Sequence, residues 1–263
     1  MTSWEVYCGN ECIVNDTSTP IYVFLLCHNE RTLLPHTVAH YKRYMPSCNI
    51  IIYDNESTDG SVELATSLGC SIHSWSSNNI IDDYKYITIK NNCWKNIKNG
   101  WIIVADMDEW LCITENELEK ERKNGTTILQ VRGINIIGTS QTADLSDVDP
   151  SLFQHYFEHW PESKRLCFLR EKIEEMSYKL GAHFCNPKGN ITYSSTIYNN
   201  KHMHYMGLPF VLDKMKKRHE RSQAMRAKGI AVHYIDDVQK LKEDYENAVI
   251  KSLYTIVSSS LPV

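Results

Sequence analysis

Asp106, Asp108 and Glu109, in the stretch WIIVADMDEW at 101–110, are the residues whose types and spacing best suit chemistry. Four apolar residues, Ile102 to Ala105, run straight into them. A short apolar run bounded by polar residues reads as a buried strand, and this one ends in carboxylates. Alternation along an extended strand puts Asp106 and Asp108 on one face and Met107 on the other. Two carboxylates aimed the same way repel unless a cation sits near them. A hard divalent ion, Mg²⁺ or Mn²⁺, prefers oxygen ligands and often keeps positions open for phosphates. The pattern reads as a metal–diphosphate site at the carboxyl end of a central strand. The plainer alternative is an acidic strand-to-loop corner left in solvent.

The elements that must position this site alternate in type. Ile21 to Cys27 is a buried strand ending in His28-Asn29-Glu30, and the segment 32–45 carries Leu33, Leu34, Val38 and Tyr41 at helical spacing. Pro35 fits the first turn of that helix. A second strand, Ile50 to Tyr53, precedes DNESTDGS at 54–61. A helix over 61–69 stops at Gly69, a third strand covers 70–75, and a helical stretch of about 83–98 leads into the acidic strand. Such alternation predicts crossover units and a mostly parallel sheet, whose ligands bind beyond the carboxyl ends of the strands. His28-Asn29-Glu30, Asp54-Asn55 and Asp106–Glu109 then gather along one edge.

The second half differs. Ile128 to Val131 and Ile134 to Gly138 suggest strand, 142–151 is an acidic loop, and 152–180 shows no clean periodicity. GAHFCNPKGN (181–190), KHMHYMG (201–207) and a basic, helix-prone stretch from Lys214 to Lys228 follow. Val238, Leu241, Tyr245 and Val249 mark one face of a closing amphipathic helix.

Composition narrows the function classes. The 263 residues are 42% apolar and 23% charged, as in an ordinary soluble globular protein. A net charge of −4 and a pI near 6.3 argue against broad nucleic-acid binding. No apolar run reaches the ~20 residues that span a bilayer. The first twelve residues lack the basic-then-apolar pattern of a secretory signal. Nine cysteines form no C-x-x-C pair, and several sit in apolar strands as small hydrophobes. The expectation is a reducing, cytoplasmic setting.

Taken in order, Asn29-Glu30, DNESTDGS and DMDEW resemble a GT-A glycosyltransferase, and more narrowly the cytoplasmic family-2-like enzymes with an Asp-x-Asp-Glu metal motif. GAHFCNPKGN, His204-Tyr205, Arg218-His219 and GIAVHY at 229–234 follow in that subgroup's order, so the resemblance covers about residues 20–245. It implies an α/β, Rossmann-like GT-A single domain, with a mostly parallel central sheet flanked by helices. An N-terminal arm (1–19) precedes that domain (20–245), which divides into a nucleotide-sugar half (20–125) and an acceptor and closure half (126–235). A C-terminal helix (236–258) closes it. The chain lacks the Q-x-x-R-W signature of processive enzymes, which favours transfer of a single sugar.

The resemblance implies a nucleoside-diphosphate sugar donor, UDP-linked, a Mn²⁺ or Mg²⁺ cofactor, and a glycan or other hydroxyl acceptor. Asn29, Glu30, Asp54 and Asn55 would line the nucleoside pocket, with Asp54 accepting from a uracil N–H. Turn and cap chemistry explains Ser57 and Asp59 as well, and would also suit Asp54 and Glu30. Asp108 would ligate the metal and Asp106 the ribose or the metal through water, while Glu109 orients a neighbour or touches the acceptor. His183, His204 and His233 each adjoin an apolar or aromatic stretch and could complete the metal shell, His183 first. Arg218 with His219 could reach the diphosphate from the basic stretch, whose plainer reading is a solvated helix face. Inversion needs a carboxylate base, for which Glu171, Asp147 and Asp149 are candidates, with Asp144 and Glu174 beside them. The rival readings are a nucleotidyltransferase acting on sugar phosphates, a phosphohydrolase, and an inactive nucleotide-sugar-binding module. No Gly-rich phosphate loop supports the first, and Trp110 after a late D-x-D argues against the second.

Overall fold

A computed structural model of the protein describes residues 19–253. Nearly all of the expected N-terminal arm and residues 254–258 of the expected terminal helix lie outside that range. The first half runs β1 (Ile21–Cys27), α1 (Leu34–Tyr44), β2 (Asn49–Asp54), α2 (Ser61–Ser67), β3 (Ser71–Ser74), α3 (Asp83–Asn92), β4 (Trp101–Asp106), β5 (Glu109–Cys112) and α4 (Glu115–Lys123). Then follow β6 (Ile128–Ile137), β7 (His155–Glu158), β8 (Cys167–Leu169), β9 (Ile173–Glu175), β10 (Lys188–Gly189) and β11 (Tyr193–Tyr205). The helices α5 (Leu208–Arg221), α6 (Gln223–Arg226) and α7 (Val238–Leu253) complete the described chain.

One mixed sheet crosses both halves in the order β3-β2-β1-β4-β8-β6-β11-β5, with β7 added alongside β6. β3, β2, β1 and β4 are parallel neighbours, and the long β6–β11 ladder is parallel too. Antiparallel pairing enters only where β8, β7 and β5 join. β1 is apolar throughout because both its faces are covered. Ile21, Val23 and Leu25 pack with Leu34, Val38 and Tyr41 of α1, whereas Phe24 packs with Ile102, Val104 and Trp94 on the opposite face. Every described cysteine is a free thiol, and Cys27, Cys48, Cys70 and Cys167 are buried.

Several elements depart from the sequence reading. The two apolar runs at 128–131 and 134–138 join through Arg132 and Gly133 into one ten-residue strand, β6, which ends at Ile137. The thirteen-residue β11 passes through KHMHYMG, where polar and aromatic residues concealed a central strand. The unperiodic region 152–180 contributes the short strands β7, β8 and β9, each of only three or four residues. α3 ends at Asn92, well short of 98. α4, absent from the sequence reading, is fixed by a capping box between Thr114 and Glu117. No described helix is long and apolar enough to cross a membrane.

Candidate active site

The chain turns sharply after Asp106. Met107 and Asp108 form the corner between β4 and β5, and the Asp106 backbone N–H donates to Glu109 Oε2 at 2.8 Å. Buried Met107 anchors the corner, with its carbonyl accepting from Thr37 Oγ1 at 2.7 Å. The strand alternation assumed from sequence therefore stops at Asp106, and the two aspartates take separate partners.

Asp108 faces the second half of the chain. Its carbonyl accepts from Met203 N–H at 2.8 Å, which locks the corner onto β11. Two residues apart on that strand, His202 and His204 stack at 5.4 Å. One ligand atom each from Asp108, His202 and His204 lies within 4.8 Å of the others. Gly207, with φ of +152°, turns the chain directly from β11 into α5, and a Cβ there would lie 2.2 Å from the Ser140 carbonyl oxygen. Lys214, Arg218 and Arg221 of α5 fall at helical spacing and all line the same cavity. Lys214 Nζ reaches Asp108 Oδ2 at 2.5 Å, with His202 Nε2 at 3.4 Å and an Arg218 nitrogen at 3.8 Å. The basic stretch thus begins as a partly buried wall of the site, not a wholly solvated face.

Asp106 faces Lys90 of α3 at 2.7 Å and Lys164 at 3.5 Å. Lys164 also reaches Glu109 Oε1 at 2.6 Å and Glu162 Oε2 at 3.4 Å. One ammonium with three donors therefore serves three carboxylates, and its side chain is only 7% exposed.

Charge and burial compete throughout. Burial pushes the Asp108 carboxyl up, but Lys214, His202 and Arg218 outweigh it and hold the group well below the ordinary carboxylate range. Asp106 is held down in the same way by Lys90 and Lys164. Burial pushes Glu109 up despite Lys164. Burial, with Lys214 and His202 adding to it, holds His204 well below the usual imidazole range, so it is neutral and able to ligate. Burial pulls His202 down too, yet Glu162 and Asp108 raise it overall.

These groups, apart from the buried Glu109, line a cavity of about 1060 Å³, as do Asn29, Glu30, His183, His233 and Glu162. Asn29 adopts φ of +53° and its Oδ1 accepts from Thr58 N–H at 2.7 Å. His183 lines the cavity with its Nδ1 against the Pro161 carbonyl at 2.7 Å, and it stands outside the Asp108–His202–His204 cluster. Asp54 and Asn55 are buried behind the lining. Asp54 Oδ2 accepts from Ser57 N–H, while its Oδ1 is buried without a donor. Asn55 instead ties the loop after β3 down through Ser77 and bonds to Tyr86 of α3. Asp59 accepts from Arg31 and Ser61 N–H groups, the turn chemistry expected of it. His219 is held by the Tyr234 carbonyl at 2.8 Å.

The expected base candidates are not brought into the cavity. Glu171 accepts from Gly100 N–H at the amino end of β4, about 20 Å along the strand from Asp106. Asp144, Asp147, Asp149 and Glu174 are exposed, and Asp144 and Asp149 accept from Ser146 and Ser151 in local turns. Lys90, Glu162, Lys164 and His202 went unnoticed in the sequence. The His-x-His alternation at 202 and 204 carried the one usable signal, since a strand there points both rings the same way.

No protein-family model matches the chain. Protein RfbJ of Shigella flexneri is 32% identical over 54 residues, covering 20% of this chain and 42% of that protein. Among solved structures, S. aureus TarS is similar with a TM-score of 0.43 and 11% identity, over 87% of this chain and 43% of that one. Glucosyl-3-phosphoglycerate synthase from Mycobacterium tuberculosis, in complex with Mn²⁺, UDP and glucosyl-3-phosphoglycerate, gives a TM-score of 0.31 and 13% identity over 44% of each chain. The chain matches about two fifths of the length of each of these proteins. At such scores the likenesses fix neither donor nor reaction.

Proposed function

We propose that the protein is a metal-dependent glycosyltransferase that moves one sugar from a nucleoside-diphosphate sugar, UDP-linked, to an acceptor hydroxyl with inversion. The observation that carries this reading is the Asp108–His202–His204 cluster, set at the strand ends of a large cavity and walled by Lys214 and Arg218. One carboxylate and two imidazoles offer a mixed oxygen and nitrogen set, which suits Mn²⁺ better than Mg²⁺. Bound there, the ion would neutralise charge on the leaving diphosphate. His204, kept neutral, is already in its ligating form.

The chain's own groups share the remaining work. Lys214 and Arg218 supply fixed positive charge beside the diphosphate oxygens, where negative charge grows as the sugar departs. Asn29 and Glu30 border the nucleoside end. Asp54 Oδ1 is an unpartnered acceptor that an imide N–H of uracil would satisfy, provided the lining in front of it gives way. Asp106, held between Lys90 and Lys164, is a partly exposed acceptor for ribose hydroxyls.

Glu162 is the base in this reading, in place of Glu171, Asp147 or Asp149. It lines the cavity, its Oε2 is buried with no hydrogen bond, and although burial pushes its carboxyl up, His202 and Lys164 outweigh that and lower it. The acceptor oxygen attacks the anomeric carbon and its proton passes to Glu162. The bond from that carbon to the phosphate oxygen breaks, and the diphosphate leaves with the electron pair. Glu109, almost fully buried, orients Asp106 and Lys164.

Thermal-shift screening of nucleotide sugars with and without Mn²⁺ tests the reading. A UDP-sugar that stabilises the fold only with metal supports it, and no shift with any nucleotide overturns it.

A further inference from the structure

We infer that Trp160 and Phe184 form a stacking platform for a sugar ring of the acceptor, at the edge of the transfer cavity. The inference rests on the transferase reading above and names the class of acceptor.

The two rings come from separate segments, yet they meet with centroids 5.5 Å apart. Trp160 is 68% exposed and Phe184 59%. Single exposed apolar side chains are ordinary, whereas two large aromatics converging in solvent keep apolar area wet that either could bury elsewhere. Their neighbours fix where they stand. His159 and Pro161, on either side of Trp160, line the cavity, and so do Ala182 and His183, just before Phe184.

The two segments are also tied together. His183 Nδ1 bonds to the Pro161 carbonyl at 2.7 Å, and within its own segment the Phe184 carbonyl accepts from Lys179 N–H at 2.9 Å. Gly181, at φ of +75°, makes room for that histidine, because a Cβ there would stand 2.7 Å from His183 Cδ2. The platform is therefore built in place before any ligand arrives, which lowers the ordering cost of binding.

The chemistry of the surroundings selects the ligand. An aromatic face is negative and attracts the weakly positive C–H bonds on one face of a pyranose. The hydroxyls on the edge of such a ring need polar partners, which His159, Glu162 and His183 provide beside the platform. A lipid tail would need a continuous apolar groove, and here charged and imidazole groups bound the rings. The arrangement also brings an acceptor hydroxyl toward Glu162, whose chain position is two residues from Trp160.

Saturation-transfer NMR on the full chain, with diamagnetic Mg²⁺ and UDP present, tests the inference. The probes are methyl glycosides of glucose, galactose, N-acetylglucosamine and rhamnose, with n-octanol run separately. Ring C–H protons of at least one glycoside should be saturated in the wild type. That binding should weaken about fivefold in Trp160→Ala and in Phe184→Ala, the size of one stacking contact, and largely persist in Trp160→Phe. Both positions are exposed, so the variants should keep the fold. UDP binding measured in the same samples confirms it. Equal saturation in Trp160→Ala and wild type overturns the platform, as does binding of octanol alone or of no glycoside. Loss of UDP binding in the wild type would instead defeat the transferase reading, leaving the glycoside signals to judge the platform separately.

Discussion

His202 Nε2 stands 3.4 Å from Asp108 Oδ2, joining β11 to the corner between β4 and β5. The acidic corner comes from the first half of the chain and both imidazoles from the second, so neither half holds the site alone. His202→Ala and His204→Ala should each weaken Mn²⁺ binding by at least tenfold, the scale on which even supporting residues of metal sites act. His183→Ala, whose ring is committed to the Pro161 carbonyl, should leave it within about threefold. Electron paramagnetic resonance of free Mn²⁺ reads these affinities, and equal loss from all three variants would place the ion elsewhere in the cavity.

Lys164 should prove a stability residue as well as a positioning one. Replacing it with Met leaves Asp106, Glu109 and Glu162 without their shared counter-charge, and breaking a buried ion pair from one side costs about 3–5 kcal/mol. Urea denaturation would measure the loss. Adding Glu162→Gln to Lys164→Met should restore part of it, because groups in one network are not additive. A cost below about 1 kcal/mol would mean that the carboxylates find other partners.

Glu162→Gln keeps the size of the side chain and removes the base. Turnover should fall by about 10²–10⁴, the usual contribution of a general base, while UDP binding stays unchanged. Glu171→Gln, remote from the cavity, should leave turnover as it is. Steady-state kinetics on the two variants separates them, and the opposite ranking would restore Glu171 to the mechanism.

His40 gives the fold an acid sensitivity of its own. Burial, only partly offset by the hydrogen bond to the Leu111 carbonyl, pushes this imidazole down to about 4 from 6.5. Between those values the unfolded chain takes up a proton that the folded chain refuses. Stability is therefore constant with respect to His40 above about pH 6.5 and falls below it, by about 3 kcal/mol on reaching pH 4. In His40→Gln, whose amide can donate to the same carbonyl, chemical denaturation across pH 4–7 should show a shallower acid slope. Identical slopes would contradict the assignment.

Much of the first half was legible because β1 and β4 are buried on both faces and α1 keeps a clean helical period. Ile21–Cys27 and Ile102–Ala105 announced themselves as apolar runs, and the polar residues that end them line the cavity. Asp108 was readable from type and position alone. The partner residues were not, because they lie where local pattern is weakest. Lys164 and Glu162 sit in a segment of three-residue strands and single helical turns, too short for any periodicity. His202 and His204 alternate on a strand whose polar and aromatic composition hid it. Long-range electrostatics chose these residues, and pairing of that kind leaves no trace in neighbouring sequence.

The most direct measurement is Mn²⁺-dependent turnover of a UDP-sugar, by transfer or by hydrolysis of the donor, in the wild type and in Asp108→Ala. Turnover that requires Mn²⁺ in the wild type and falls by at least a hundredfold in Asp108→Ala is the expected result, since the substitution removes the one carboxylate of the proposed metal cluster. Undiminished metal-dependent turnover in Asp108→Ala would contradict it.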